Sequence, residues 1–194
     1  MPSRPLQPPS PRGPVRFGLL WTNAVGKKAL MAVTGMMLFA YVLAHLIGNL
    51  QIYVASEKID AYARFLHGSP GLLWSARVIL LLAVMVHGTA GTLLTLEKRA
   101  ARPIPYAGTT RIQASLPSRT MIWSGLLIAS FVIFHVAHLT FGAAIPGYEE
   151  IRPSVNVPAA FHVGWAAAVY ILAMLTVGAH LWHGLYGMFQ SLGL

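Results

Sequence analysis

The chain has 194 residues, of which 56% are hydrophobic and only 10% charged, with a mean hydropathy of +0.61. A soluble domain carries about 25% charged residues, so this chain lacks the polar surface needed to cover a water-facing globule. It holds 14 Lys and Arg against 5 Asp and Glu, for a net charge of +9, and no cysteine. The missing cysteine excludes disulfides, iron–sulfur ligation and thiol chemistry on this chain. The basic excess lies beside apolar runs, which points to orientation in a membrane and not to nucleic acid.

In chain order, residues 1–26 are rich in Pro and Arg and read as a disordered basic tail. They are not a cleavable signal, because the apolar run that follows is long enough to span. Residues 27–194 read as one transmembrane domain, with apolar segments at 28–53, 72–96, 120–145 and 159–191. The stretch 56–70 sets Ile59, Tyr62, Phe65 and Leu66 on one helical face and ends at Gly68 and Pro70, as an interfacial helix would. Pro158 suits the start of the last helix. The expected fold is an all-α integral membrane bundle of four transmembrane helices, with no clear internal repeat.

Arg4, Arg12, Arg16, Lys27 and Lys28 precede the first span, and Lys98, Arg99, Arg102, Arg111 and Arg119 lie between the second and third. On the other side, Lys58 and Arg64 are offset by Glu57 and Asp60, and Arg152 by Glu149 and Glu150. The positive-inside rule then places the N-terminus and the 97–119 loop in the cytoplasm.

Six of the eight histidines fall inside spans: His45, His87, His135, His138, His180 and His183. One membrane histidine is ordinarily a hydrogen-bonded packing residue. Six over four helices ask for a function, because ionisable groups at that depth are costly. At about 1.5 Å per residue, His45 lies roughly 25 Å beyond Lys28 and His135 roughly 24 Å beyond Arg119, both in the outer half. His87 and His180, on helices running the other way, fall in the inner half. Two imidazoles facing each other from neighbouring helices are natural axial ligands of a haem iron, so pairs His45/His135 and His87/His180 predict two haems b stacked across the membrane.

Gly35, Gly48, Gly88, Gly91, Gly125 and Gly184 would let a flat macrocycle approach the backbone, or serve helix packing. His138 and His183 follow His135 and His180 by three residues, nearly on the same faces, and either could replace its neighbour. Arg77 could neutralise a haem propionate or simply snorkel. His67 and His162 fall at the outer surface. Trp21, Trp74, Trp165, Tyr41, Tyr53 and Tyr170 read as belt or packing residues. No nucleophile–base constellation, phosphate loop or carboxylate pair is present, so no catalytic residue is expected on this chain.

These residues resemble the dihaem cytochrome b membrane anchor of succinate dehydrogenase and fumarate reductase, the single-anchor form of complex II. The resemblance runs from Trp21 to the C-terminus. It rests on His45-Leu46 with Gly48-Asn49, Leu73-Trp74-Ser75-Ala76-Arg77, His87-Gly88, Ala100-Ala101-Arg102-Pro103, Arg119 with Gly125 and His135, and His180 through Gly184-Leu185-Tyr186. It implies ligands on four successive helices, first paired with third and second with fourth. It also favours His135 over His138 and His180 over His183. Its implied partners are a flavoprotein subunit that oxidises succinate and an iron–sulfur subunit. The implied acceptor is a membrane quinone, menaquinone in this subtype, and the implied location is the bacterial cytoplasmic membrane. Two departures stand out. The family usually has a fifth helix where this chain stops at Leu194, which implies a truncated sequence or a dispensable helix. The membrane glutamate that some fumarate reductases carry two residues before the fourth-helix ligand is Gly178 here. Rival readings are a dihaem cytochrome of another respiratory dehydrogenase or hydrogenase, a transporter with a histidine relay, and an anchor that has lost its haem.

Overall fold

The fold was analysed in a computed structural model, which describes residues 17–101 and 116–192. Arg4, Arg12, Arg16, Arg102, Pro103 and Arg111 lie outside the described residues. Those described form seven α-helices: α1 (Phe17–Thr22), α2 (Ala24–Asn49), α3 (Ser56–His67), α4 (Pro70–Ala100), α5 (Leu116–His135), α6 (Pro153–Phe161) and α7 (Gly164–Leu192). A 3₁₀ turn, Leu50–Tyr53, extends α2, and a π-helical turn, Val136–Thr140, extends α5.

Four helical stretches are long and apolar enough to cross a membrane: Ala24–Tyr53, Pro70–Ala100, Arg119–Thr140 and Gly164–Ser191. At about 1.5 Å per residue each exceeds a hydrocarbon core of roughly 30 Å. Large apolar side chains such as Ile47, Leu82, Leu175 and Trp182 point outward. Most of the buried apolar residues in the spans are small: Ala32, Ala83, Ala90, Ala166 and Ala173. Close approach through small residues is how helices pack where lipid removes the hydrophobic drive between them. The chain is thus all-helical among the described residues, and its four spans are consistent with a membrane protein.

The long helices form a ring in which α2 packs on α4 and α7, α5 packs on α7, and α4 meets α5 more thinly. This order leaves α2 facing α5 and α4 facing α7 across the two diagonals. At one end, α3 and α6 dock on each other. Asp60 of α3 accepts from the Ser154 backbone N–H (3.0 Å) and hydroxyl (2.7 Å) at the start of α6, with Arg152 3.9 Å away. A carboxylate on those first N–H groups offsets the positive end of α6. Ile59 is 2% exposed beneath this contact, and Gly48 of α2 admits the Tyr62 ring.

At the opposite end the expected tail gives way to structure earlier than the sequence suggests. Residues 17–22 are helical and residues 24–26 already belong to α2. Asn23 caps α2 by accepting from Gly26 N at 2.6 Å. A Cβ at Gly26 would lie 2.5 Å from Leu20 Cα, so glycine is what lets α1 fold back. Lys27, 3% exposed, locks this corner by donating to Trp21 O (2.9 Å) and pairing with Glu97 of α4 (2.7 Å).

The last span also differs from its expected bounds. Pro153 opens α6, Pro158 lies inside it, and α7 begins only at Gly164. Pro158 therefore belongs to the short connecting helix and does not start the span.

Candidate functional site

His45 stands near the end of α2, and His135 is the last residue of α5, both at the α3/α6 end. Their ring centres are 5.8 Å apart and edge-to-face. His87 and His180 lie 13 and 12 residues before the ends of α4 and α7 (100 − 87 and 192 − 180), toward the other end. Their ring centres are 6.4 Å apart. Each pair thus spans one diagonal of the bundle.

The two sites share one construction. Gly35 on α2 faces His87, where a Cβ would come 3.2 Å from its Cε1, and Gly125 on α5 faces His180 at 3.7 Å. Each glycine precedes the histidine of the other pair on its own helix by ten residues (45 − 35 and 135 − 125). That rise is about 15 Å, which sets the spacing between the pairs along the bundle.

The hydroxyl just before each glycine serves the same histidine. The His87 ring lies with Nδ1 3.1 Å from Met31 O and 3.3 Å from Thr34 Oγ1, whose own proton goes to Leu30 O at 2.7 Å. His180 Nδ1 lies 2.9 Å from Ser124 Oγ, which donates to Met121 O at 3.1 Å. A carbonyl only accepts, so His87 Nδ1 carries the hydrogen and its Nε2 presents a lone pair. The Ser124 hydroxyl lies within reach of both Met121 O and His180 Nδ1 and holds the His180 ring in place.

One turn before the other two histidines, an aromatic ring packs on each. Tyr41 lies 5.5 Å from His45 and Phe131 5.6 Å from His135. The pattern Met-x-x-(Thr/Ser)-Gly followed ten residues later by His thus occurs twice, at 31–45 and 121–135. His87 and His180 each have glycine four residues on, at Gly91 and Gly184. The order span, short helix, span thus occurs twice, with this motif at the start of each half, where the sequence alone shows no clear repeat.

His138 and Tyr170 complete the α3/α6-end site. His138 is 1% exposed, against Phe134 (5.0 Å) and Trp165 (6.3 Å), and its Nε2 is buried without a partner. Tyr170 Oη lies 3.2 Å from His135 Nδ1 and 3.3 Å from His138 Nδ1. Tyr170 is therefore a residue of the site, where the sequence suggested packing or belt. His183 is half-buried one turn beyond His180, and among the described residues the ring that meets His87 is that of His180. Arg77 is exposed, with its guanidinium 5.0 Å above the Trp74 ring. His67 and His162 are exposed at the α3/α6 end. Of the glycines, Gly48 meets Tyr62 and Gly91 meets Met31, while Gly88 and Gly184 have open space beside them.

Among the described residues no group of three or more His, Cys, Asp or Glu could hold a metal ion. Each site offers two nitrogens, which suits a metal whose other ligands come from a macrocycle. A metal between two imidazoles sits about 2 Å from each nitrogen, so opposed ring centres lie roughly 6 Å apart. The two observed separations fit that span, and at His87 the protonated Nδ1 leaves Nε2 as the ligating atom.

No family model, curated protein or solved structure matches this chain.

Proposed function

We propose that the chain is the dihaem cytochrome b anchor of a succinate:quinone oxidoreductase in the bacterial cytoplasmic membrane. The observation that carries the dihaem part is the pair of opposed imidazole couples, 5.8 Å and 6.4 Å between ring centres, on the two diagonals. The assignment to complex II rests on the motif resemblance set out above.

His45 with His135, and His87 with His180, would hold one haem b each. When bound, haem b supplies a reversible one-electron couple at each pair. The chain's own residues orient and insulate. Met31 O and Thr34 fix the His87 ring, Ser124 fixes His180, and Tyr170 holds His135. The apolar outer faces of all four helices keep water from the pairs. With the two pairs about 15 Å apart, electrons would cross the bundle from the iron–sulfur subunit toward membrane quinone, menaquinone in this subtype. The flavoprotein subunit would carry the succinate chemistry, and this chain none.

The test is a reduced-minus-oxidised spectrum with haem stoichiometry on the purified protein and on His45→Ala and His87→Ala. Two haems b per chain, each variant losing a different one, is the expected result. A folded, colourless protein would overturn it and bring forward a transporter with a histidine relay. Two haems with soluble partners other than a flavoprotein and an iron–sulfur protein would keep the cytochrome and replace complex II by another respiratory dehydrogenase or hydrogenase.

A further inference from the structure

Tyr170 is buried, and its hydroxyl meets two nitrogens, His135 Nδ1 at 3.2 Å and His138 Nδ1 at 3.3 Å. The rings around it, Phe131, Phe134 and Phe161, are apolar. A phenol has one proton to give, so it donates to one histidine and accepts from the other. The choice decides which nitrogen of His135 is free. If the phenol donates to His135, that ring carries its proton on Nε2 and cannot bind a metal there.

Resting on the dihaem reading, we infer that Tyr170 is the positioning residue of the His45/His135 site and that His138 is its proton acceptor, not an alternative ligand. The hydrogen-bond chain has one direction: His135 Nδ1–H donates to Tyr170 Oη, and Tyr170 O–H donates to His138 Nδ1. His138 then carries its ring proton on Nε2, the atom sealed among protein side chains. A macrocycle has no access to an atom so enclosed, which separates His138 from His135.

The π-helical turn makes this arrangement possible. Its wider winding is marked by Phe141 N bonding Val136 O at 3.3 Å, five residues back. Each residue there turns through a smaller angle than in an α-helix. His138 is accordingly carried off the face of His135, toward α7 and Tyr170. A regular α-helix would have kept the two histidines nearly in line.

The role is tested by histidine ring-nitrogen NMR and redox titration of the full-length protein with its native haem content, as wild type, Tyr170→Phe and His138→Leu. The expected result has His135 protonated on Nδ1 and His138 on Nε2 in the wild type. Tyr170→Phe removes the acceptor that makes His135 a more basic ligand, so the midpoint potential of one haem rises while the other holds. His138→Leu keeps the phenol but strips its acceptor, and moves the same haem in the same direction by less. Two unmoved potentials in Tyr170→Phe, or His138 protonated on Nδ1 beside a haem-bound His135, overturn the inference and leave the dihaem reading standing; His135 protonated on Nε2 overturns both at this site. A haem-free wild type with the two expected tautomers removes the dihaem reading and retains the chain.

Discussion

At the scale of single residues, Asp60 shows how a charge is used outside the spans. Burial pushes its carboxyl up. The hydrogen bonds from the Ser154 hydroxyl and backbone N–H, with the charges of Arg152 and Arg64, outweigh that and hold it below the usual carboxylate range. A carboxyl whose folded value is depressed stabilises the fold above its unfolded value of about 4, and that contribution is lost as pH falls through the folded value. Asp60→Asn is therefore expected to cost about 1–2 kcal/mol at neutral pH, the size of one or two charge-assisted hydrogen bonds. The difference between wild type and variant in thermal unfolding should shrink as the pH drops below about 4. An unchanged difference at acid pH would show that shape, not charge, docks α3 on α6.

The six span histidines were legible in the sequence because helical rise converts position into depth. Their supporting hydroxyls were not. Thr34 and Ser124 each bond a carbonyl of their own helix, as such residues ordinarily do at this depth. Nothing in the chain marks which histidine crosses the bundle to meet them. Tyr170 was hidden for the same reason, since a tyrosine near a helix end reads first as an interface anchor.

Among the elements, the spans were readable from apolar length alone, while the short pieces between them were not. Two prolines five residues apart both suit a helix start, and only the docking of Asp60 on Ser154 selects Pro153 as the opening of α6. The π-helical turn has no composition of its own, because it depends on how α5 and α7 meet. The α2–α3 contact, by contrast, reduces to one close approach. A Cβ at Gly48 would lie 2.9 Å from Tyr62 Cε1 and 3.0 Å from its hydroxyl. Tyr62 is half-buried and α3 is short, so the ring has to leave its seat. Gly48→Ala should cost about 1–3 kcal/mol, in the range of overpacked sites. Hydrogen exchange should rise through α3 and leave the centre of α2 unchanged. Protection retained in α3 would mean that Tyr62 finds another seat and that the glycine is dispensable.

For the molecule as a whole, the two ends differ in charge as well as in structure. Lys28, Lys98, Arg99 and Arg119 remain at the end where α1 folds back, and Lys27 there is already neutralised by Glu97. At the α3/α6 end, Arg152 is paired with Glu149 and lies near Asp60, so that end offers little uncompensated positive charge. Basic residues flanking a span tend to stay on the cytoplasmic side, and the orientation expected from that has the His87/His180 pair nearer the cytoplasm. The chain has no cysteine, so single cysteines report without background. Glu150→Cys, exposed in the α5–α6 loop, is expected to react with a membrane-impermeant maleimide added to intact cells. Lys98→Cys, exposed at the end of α4, should react only after permeabilisation. The reverse pattern would invert the bundle and place the His45/His135 pair on the cytoplasmic side. Under the proposed complex II reading, an iron–sulfur partner would then face the Tyr170 site, and the order of electron entry would be exchanged between the two pairs.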